Sequence, residues 1–115
     1  MKFELPMPPS VNRYYRSLGR GRVVISEDGR KYRKAVKDAV LVQRVKHASG
    51  RLKLSAVLHF ARKGGCDLDN RLKALQDALQ SAGVFDDDSQ IDHLDVRRGE
   101  VIKGGLCLIE IEVIE

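Results

Sequence analysis

Residues 52 to 60 alternate without a break: Leu52, Leu54, Ala56, Leu58 and Phe60 interleave with Lys53, Ser55, Val57 and His59. Successive side chains of a strand point to opposite faces, so this pattern requires a strand with one buried face. Near the C-terminus, Cys107, Ile109, Ile111 and Val113 alternate in the same way with Leu108, Glu110 and Glu112. Cys107 then reads as plain core, and His59 as a sheet residue rather than a catalyst. Residues 68–82 follow a different period. Leu68, Leu72, Leu75, Leu79 and Ala82 recur at steps of four, three, four and three, the spacing of one buried helical stripe, and Gly83 is its stop. A second helix starts at Ser26, a good N-cap backed by Glu27 and Asp28, and is expected to run to about Ser49 with Gly50 as its stop. Short strands are expected at residues 2–5 and 23–25. Strands at 90–98 and 106–114 are expected to form a hairpin through Lys103-Gly104-Gly105. The resulting order β-β-α-β-α-β-β is α+β with a mixed sheet and two main helices.

With 115 residues there is room for one core and therefore one domain, residues 1–115. No apolar run approaches the roughly 18 residues that span a bilayer, and Met1–Pro6 carries no signal-peptide core, so no membrane partner is expected and the default location is the cytoplasm. Two cysteines, Cys66 and Cys107, suit a reducing compartment. Together with the scattered His47, His59 and His93 they show no zinc-ligand spacing. Charge is unevenly placed. Residues 1–63 hold 16 Lys/Arg against 4 Asp/Glu, a net of +12, whereas residues 64–115 hold 5 against 12, a net of −7. A basic half beside an acid-rich half suits a polyanion-binding surface next to a cation-binding site, although uneven solvated surface gives the same count.

The basic half has two parts of interest. Pro6, Pro8 and Pro9 hold the chain extended ahead of Ser10-Val11-Asn12-Arg13-Tyr14-Tyr15-Arg16 and Gly19-Arg20-Gly21-Arg22. Arginines beside aromatics and flexible glycines can bind phosphate and stack on bases. The arginines favour nucleic acid; the tyrosines read as covering the edge of the core. The early turns of the second helix carry Arg30, Lys31, Arg33, Lys34 and Lys37, a solvated face that can also lie along a phosphate backbone.

The acid-rich half centres on Cys66-Asp67-Leu68-Asp69-Asn70-Arg71-Leu72-Lys73. Asp67 falls at or just before the first helical turn, where negative charge is favoured, and Asp69 and Lys73 share a face away from the leucine stripe. If the chain folds back at Gly83, Asp86-Asp87-Asp88 can meet these aspartates around a divalent cation with a lysine alongside, the equipment of metal-assisted phosphoryl transfer. Taken singly, the first pair is also what a helix cap looks like, and the second run what a polar turn looks like. An EF-hand is excluded, since Arg71 stands where a ligand belongs and Leu72 where glycine belongs. No glycine-rich run ends in Gly-Lys-Ser/Thr, so there is no P-loop.

Four segments then carry a resemblance. Leu5-Pro6-Met7-Pro8-Pro9-Ser10-Val11-Asn12-Arg13-Tyr14-Tyr15, Asp67-Leu68-Asp69-Asn70-x-x-Lys73, Ala82-Gly83-Val84 with Asp87-Asp88-Ser89-Gln90, and Lys103-Gly104-Gly105 occur in that order. Together, over nearly the whole chain, they resemble the RusA family of Holliday junction resolvases, often carried by prophages. The resemblance implies a magnesium-dependent homodimeric endonuclease, with manganese as an alternative ion, that nicks four-way DNA junctions symmetrically in recombination and repair. It further implies a metal site of Asp67, Asp69 and Asp88, with Asp87 the neighbouring alternative to Asp88, and Lys73 assisting catalysis. Asn12, Arg13, Arg16, Arg20, Arg22, Lys31, Arg62, Lys63 and Arg71 are the expected DNA contacts. The family's best-known member carries an arginine run just before the acidic motif, where this chain has Gly64-Gly65-Cys66. The competing reading is a basic nucleic-acid-binding module whose aspartates only cap a helix and shape a turn.

Overall fold

The computed structural model describes residues 1–114. Along the chain lie β1 (Lys2–Leu5), α1 (Val11–Tyr14), β2 (Tyr15–Gly19), β3 (Arg22–Ile25), α2 (Glu27–Val42), β4 (Arg51–His59), α3 (Leu72–Ser81), β5 (Ile91–Arg98) and β6 (Leu106–Ile114). Single 3-10 turns precede α3 at Asp69–Arg71 and β5 at Asp88–Gln90. The architecture is α+β with a mixed sheet, as the alternation and the two helical stripes require. The strand expected at residues 23–25 is β3, and the basic loop adds what was not expected, a helical turn and the strand β2 that pairs with β3 in a two-stranded ribbon.

The four-stranded sheet has the order β1-β6-β4-β5. β4 pairs antiparallel with β6 on one side and parallel with β5 on the other. The expected terminal hairpin is therefore overturned: β5 and β6 are separated by β4, and the segment holding Gly104 and Gly105 crosses over it. Alternation fixes which face of a strand is buried and says nothing about its neighbour. Lys53, Ser55 and Val57 stand half-exposed on the other face, while Leu52, Leu54, Ala56 and Leu58 face the core with Cys107, Ile109 and Ile111. Val36 and Val40 of α2 and Ala74, Leu75, Ala78 and Leu79 of α3 complete that core. Burying each leucine or isoleucine contributes roughly 1.5–3 kcal/mol.

Ser26 caps α2, its Oγ accepting from the Gly29 N–H at 2.9 Å. Gly29 lets α1 approach: a Cβ there would lie 2.3 Å from the Tyr14 carbonyl oxygen. The helix stops at Val42, seven residues before the expected Ser49. Arg44 takes a left-handed φ of 56°, Arg44 N–H bonds Leu41 O, and Val45 N–H bonds Val40 O, which is the Schellman pattern that glycine usually supplies. The α3 stop is as expected, with Gly83 at φ 80° and Val84 N–H bonded to Leu79 O.

Candidate active site

The acidic motif stands where β4 hands over to α3. Phe60 follows β4, residues 61–66 form an open loop, and Asp67 leads into the 3-10 turn that opens with Asp69. Asp67, Asp69 and Lys73 are all exposed, and none has an ion-pair partner among the described residues. Asp69 and Lys73, although four apart, are not paired. The Lys73 ammonium lies instead 5.8 Å from the centre of the Tyr15 ring, within the range of a cation–π contact.

Two cavities flank this turn. The first, about 820 Å³, is lined by Asn12, Tyr15, Arg16 and Lys73 among others. The second, about 370 Å³, is lined by Arg62, Lys63, Gly64, Gly65, Asp67 and Arg98 together with Phe60. Lys73 thus opens on one cavity and Asp67 on the other. A polyanion crossing the turn would meet carboxylates in the middle and cations on both sides.

A polar network under the first cavity joins α1, α2 and α3. Fully buried Tyr14 donates its hydroxyl to Asp77 Oδ2. Arg33 donates from Nε to Tyr14 Oη at 2.9 Å and from both Nε and a terminal nitrogen to Asp77 Oδ2, at 2.9 and 2.7 Å. Burial and then the Asp77 hydrogen bond raise the Tyr14 phenol above its ordinary range. Tyr15 packs edge-on against Tyr14 with centroids 4.8 Å apart. Its phenol is raised by burial first, then by the charge of Asp77, with Arg33 opposing and Asp88 adding a smaller push.

The chain does fold back after Gly83. Asp88 N–H donates to Gln80 Oε1 at 3.1 Å, which fastens the second acidic run to α3. Asp87 caps the following turn in a capping box: its carboxylate accepts from Ser89 N–H at 3.3 Å, and Gln90 Oε1 accepts from Asp87 N–H at 3.0 Å. The Ser89 hydrogen bonds hold the Asp87 carboxyl below the usual range. Asp86 meets His47 at 2.9 Å. Of the three acids, Asp88 alone has a carboxylate engaged neither in capping nor in pairing with a base.

The three aspartates are not gathered, however. Among the described residues no three His, Cys, Asp or Glu side chains converge as a metal would need. Gln80, which holds Asp88, lies seven residues beyond Lys73, about 10 Å along the helix axis. The donor set nevertheless has the right chemistry for a hard cation. It offers carboxylates without ion-pair partners, and next to Asp69 the buried Asn70 Oδ1 has no hydrogen-bond partner. All-oxygen donors of this kind suit magnesium rather than zinc.

The other expected contacts separate by position. Asn12 and Arg16 line the Lys73 cavity. Arg20 and Arg22 are exposed at the β2–β3 turn, and Arg62 and Lys63 line the Asp67 cavity. Arg13 is paired with Asp28 at 3.1 Å and Lys31 with Glu27 at 3.4 Å, both on exposed surface. Arg71 turns inward, donating to the Pro8 carbonyl at 3.0 Å with its guanidinium 5.3 Å from the centre of the Phe60 ring. It thereby ties the proline segment to the acidic turn. Sequence reasoning overlooked the Tyr14–Arg33–Asp77 network and Arg98. Asp77 had a signal, since it continues the Asp69–Lys73 face by four more residues. Arg98 had none, because its partners come from a loop 32 positions away.

No helix in the described residues is long and apolar enough to cross a membrane. A family model described as Endodeoxyribonuclease RusA matches residues 6–114. The chain is 37% identical over 115 residues to the crossover junction endodeoxyribonuclease of Enterobacteria phage HK97, spanning 99% of this chain and 95% of that protein. It is 40% identical over 105 residues to the protein of the same name from Shigella sonnei, spanning 88% of this chain and 84% of the relative. The corresponding protein of Enterobacteria phage 82 is 39% identical over 102 residues, with the same coverage.

Proposed function

The chain belongs to the RusA family of endodeoxyribonucleases, and from that premise we propose that it resolves four-way DNA junctions by magnesium-dependent paired nicks, acting as a homodimer. The observation that carries this reading is the pair of cation-lined cavities on either side of Asp67, Asp69 and Lys73. A phosphodiester strand laid from one cavity to the other passes over the unpaired carboxylates.

Asp67, Asp69 and Asp88 hold the cation in this reading, the third acid being drawn in from its place beside Gln80. Magnesium bound there supplies charge neutralisation at the scissile phosphate and acidifies water. Lys73 balances the charge that builds on the phosphate or its leaving oxygen, at a position where a preorganised ammonium counts most. Asn12 and Arg16 hold the strand from the same cavity, while Arg62 and Lys63 hold it on the Asp67 side. Tyr14, Arg33 and Asp77 act through others: they fix α1 against α3, and with them the spacing of Tyr15 and Lys73.

The uncollected carboxylates favour one rival, a basic DNA-binding module that cuts nothing. Incubating a labelled four-way junction with and without magnesium separates the two. Nicks in opposing strands that require magnesium and are absent on linear duplex support the resolvase. Binding without nicking in both conditions supports the module.

A further inference from the structure

We propose that Arg98, at the end of β5, is a DNA-contacting residue that holds a backbone phosphate in the cavity beside Asp67, together with the free amides of the Arg62–Cys66 loop. Its guanidinium donates to the Cys66 carbonyl at 2.5 Å and lies 4.7 Å from the centre of the Phe60 ring. It is opposite Leu58 in the β4–β5 register, so a strand end sets its place. The contrast with its neighbour is informative. Arg97 spends its charge on Asp95 at 3.2 Å, whereas Arg98 has no carboxylate within 4.0 Å among the described residues.

Arg62 and Lys63 line the same cavity, also without ion-pair partners, and the guanidinium of Arg71 lies over the same Phe60 ring. Arg62, Lys63 and Arg98 thus share a space of about 370 Å³ with a single carboxylate, Asp67. Such crowding of like charge is relieved by an anion. The backbone offers an anion more than charge. Gly64 and Gly65 both take left-handed φ, 74° and 65°, and no N–H from residue 62 to 66 donates a hydrogen bond among the described residues. Unspent amides in a turn of this kind form an anion-binding concavity. A guanidinium already fixed by a carbonyl and a ring presents its remaining donors to phosphate with little ordering cost. Because Asp67 borders the cavity, the phosphate held there is a neighbour of the one to be cut.

This rests on the acidic turn being the cutting centre, but its test does not use cutting. In full-length Asp69→Asn protein without metal, junction affinity is measured by fluorescence anisotropy over a range of salt. Every phosphate that the protein ceases to neutralise makes the slope of log K against log salt shallower by about 0.9. Arg98→Gln is expected to flatten the slope by that amount, and Arg98→Lys, which keeps the charge, to leave it unchanged. An unaltered slope in Arg98→Gln overturns the proposal, whether affinity is intact or is reduced equally at every salt, as removal of a purely structural clamp would do. If Arg98→Gln does not fold by circular dichroism, the doubly substituted Arg62→Gln/Lys63→Gln protein decides. A slope shallower by about 1.8 supports a phosphate in this cavity, and an unchanged slope rules it out. Cutting by Asp69→Asn would remove the catalytic reading and leave the slope result standing.

Discussion

At Gly29 the absence of a Cβ lets α1 and α2 come together. Replacing glycine by alanine inside an exposed helix normally gains up to about 1 kcal/mol. Here the added Cβ would lie 2.3 Å from Tyr14 O and 2.7 Å from Ile25 Cγ2, so Gly29→Ala is expected to destabilise by about 1–3 kcal/mol. Thermal denaturation measures it, and a raised melting temperature would contradict the close approach. The three tyrosines give a pH signature. Tyr14, Tyr15 and Tyr32 are all raised above the ordinary phenol value, with burial the largest cause in each. The folded protein therefore keeps phenolic protons that the unfolded chain releases above about pH 10. The corresponding stability is complete below that pH and is lost as pH rises through the folded values. Urea titrations from neutral to alkaline pH should show stability falling, with Tyr14→Phe less steep; a flat profile would contradict the buried network. Lys73→Ala should abolish nicking while junction binding persists, and an active Lys73→Ala would reduce this residue to surface.

The elements show which parts of the fold were legible in the chain. Ser26 and Gly83 could be read because capping chemistry is local and these residue types advertise it. Ser26→Ala is accordingly expected to cost about 1 kcal/mol, measurable by denaturant unfolding. The end of α2 could not be read. Arg44 stands where glycine would signal a stop, and Leu41 and Val42 look like core although they are 67% and 82% exposed. β2 hid in a segment rich in glycine and arginine, although its partner β3 was legible, and the Gly19-Arg20-Gly21 turn between them places all three residues at positive φ. β5 was legible as a strand but its pairing was not, since its parallel partner β4 and the crossing to β6 are set by long-range packing that no local period records. For the site, the carboxylates and Lys73 were visible as a spacing. Arg98 became visible only when β5 brought it to Phe60 and Cys66. Tyr14 and Tyr15, read together as core-edge cover, divide: one is buried in a polar network, the other lines the groove.

The cations of the basic first half that flank the acidic turn lie on α1, the β2–β3 ribbon and the loop at Arg62 and Lys63, so DNA affinity should depend steeply on salt. About five phosphate contacts give a slope near −4 or steeper, and a nearly flat response would contradict this DNA surface. A four-way junction has approximate two-fold symmetry, and one acidic turn per chain supplies one cut. A two-fold dimer presents the same surface twice, so heterodimers of wild-type and Asp69→Asn chains should nick one strand and resolve junctions poorly. Monomers at micromolar concentration that DNA does not pair would contradict symmetric resolution. The most direct test follows nicking of one labelled four-way junction in magnesium and its binding without metal, with wild-type and Asp69→Asn proteins side by side. The expected result is paired nicks from wild type and none from Asp69→Asn, whose metal-free binding is undiminished or tighter, since removing a carboxylate that faces phosphate lowers repulsion when no cation is held there. Nicking by Asp69→Asn at a near wild-type rate would contradict the account.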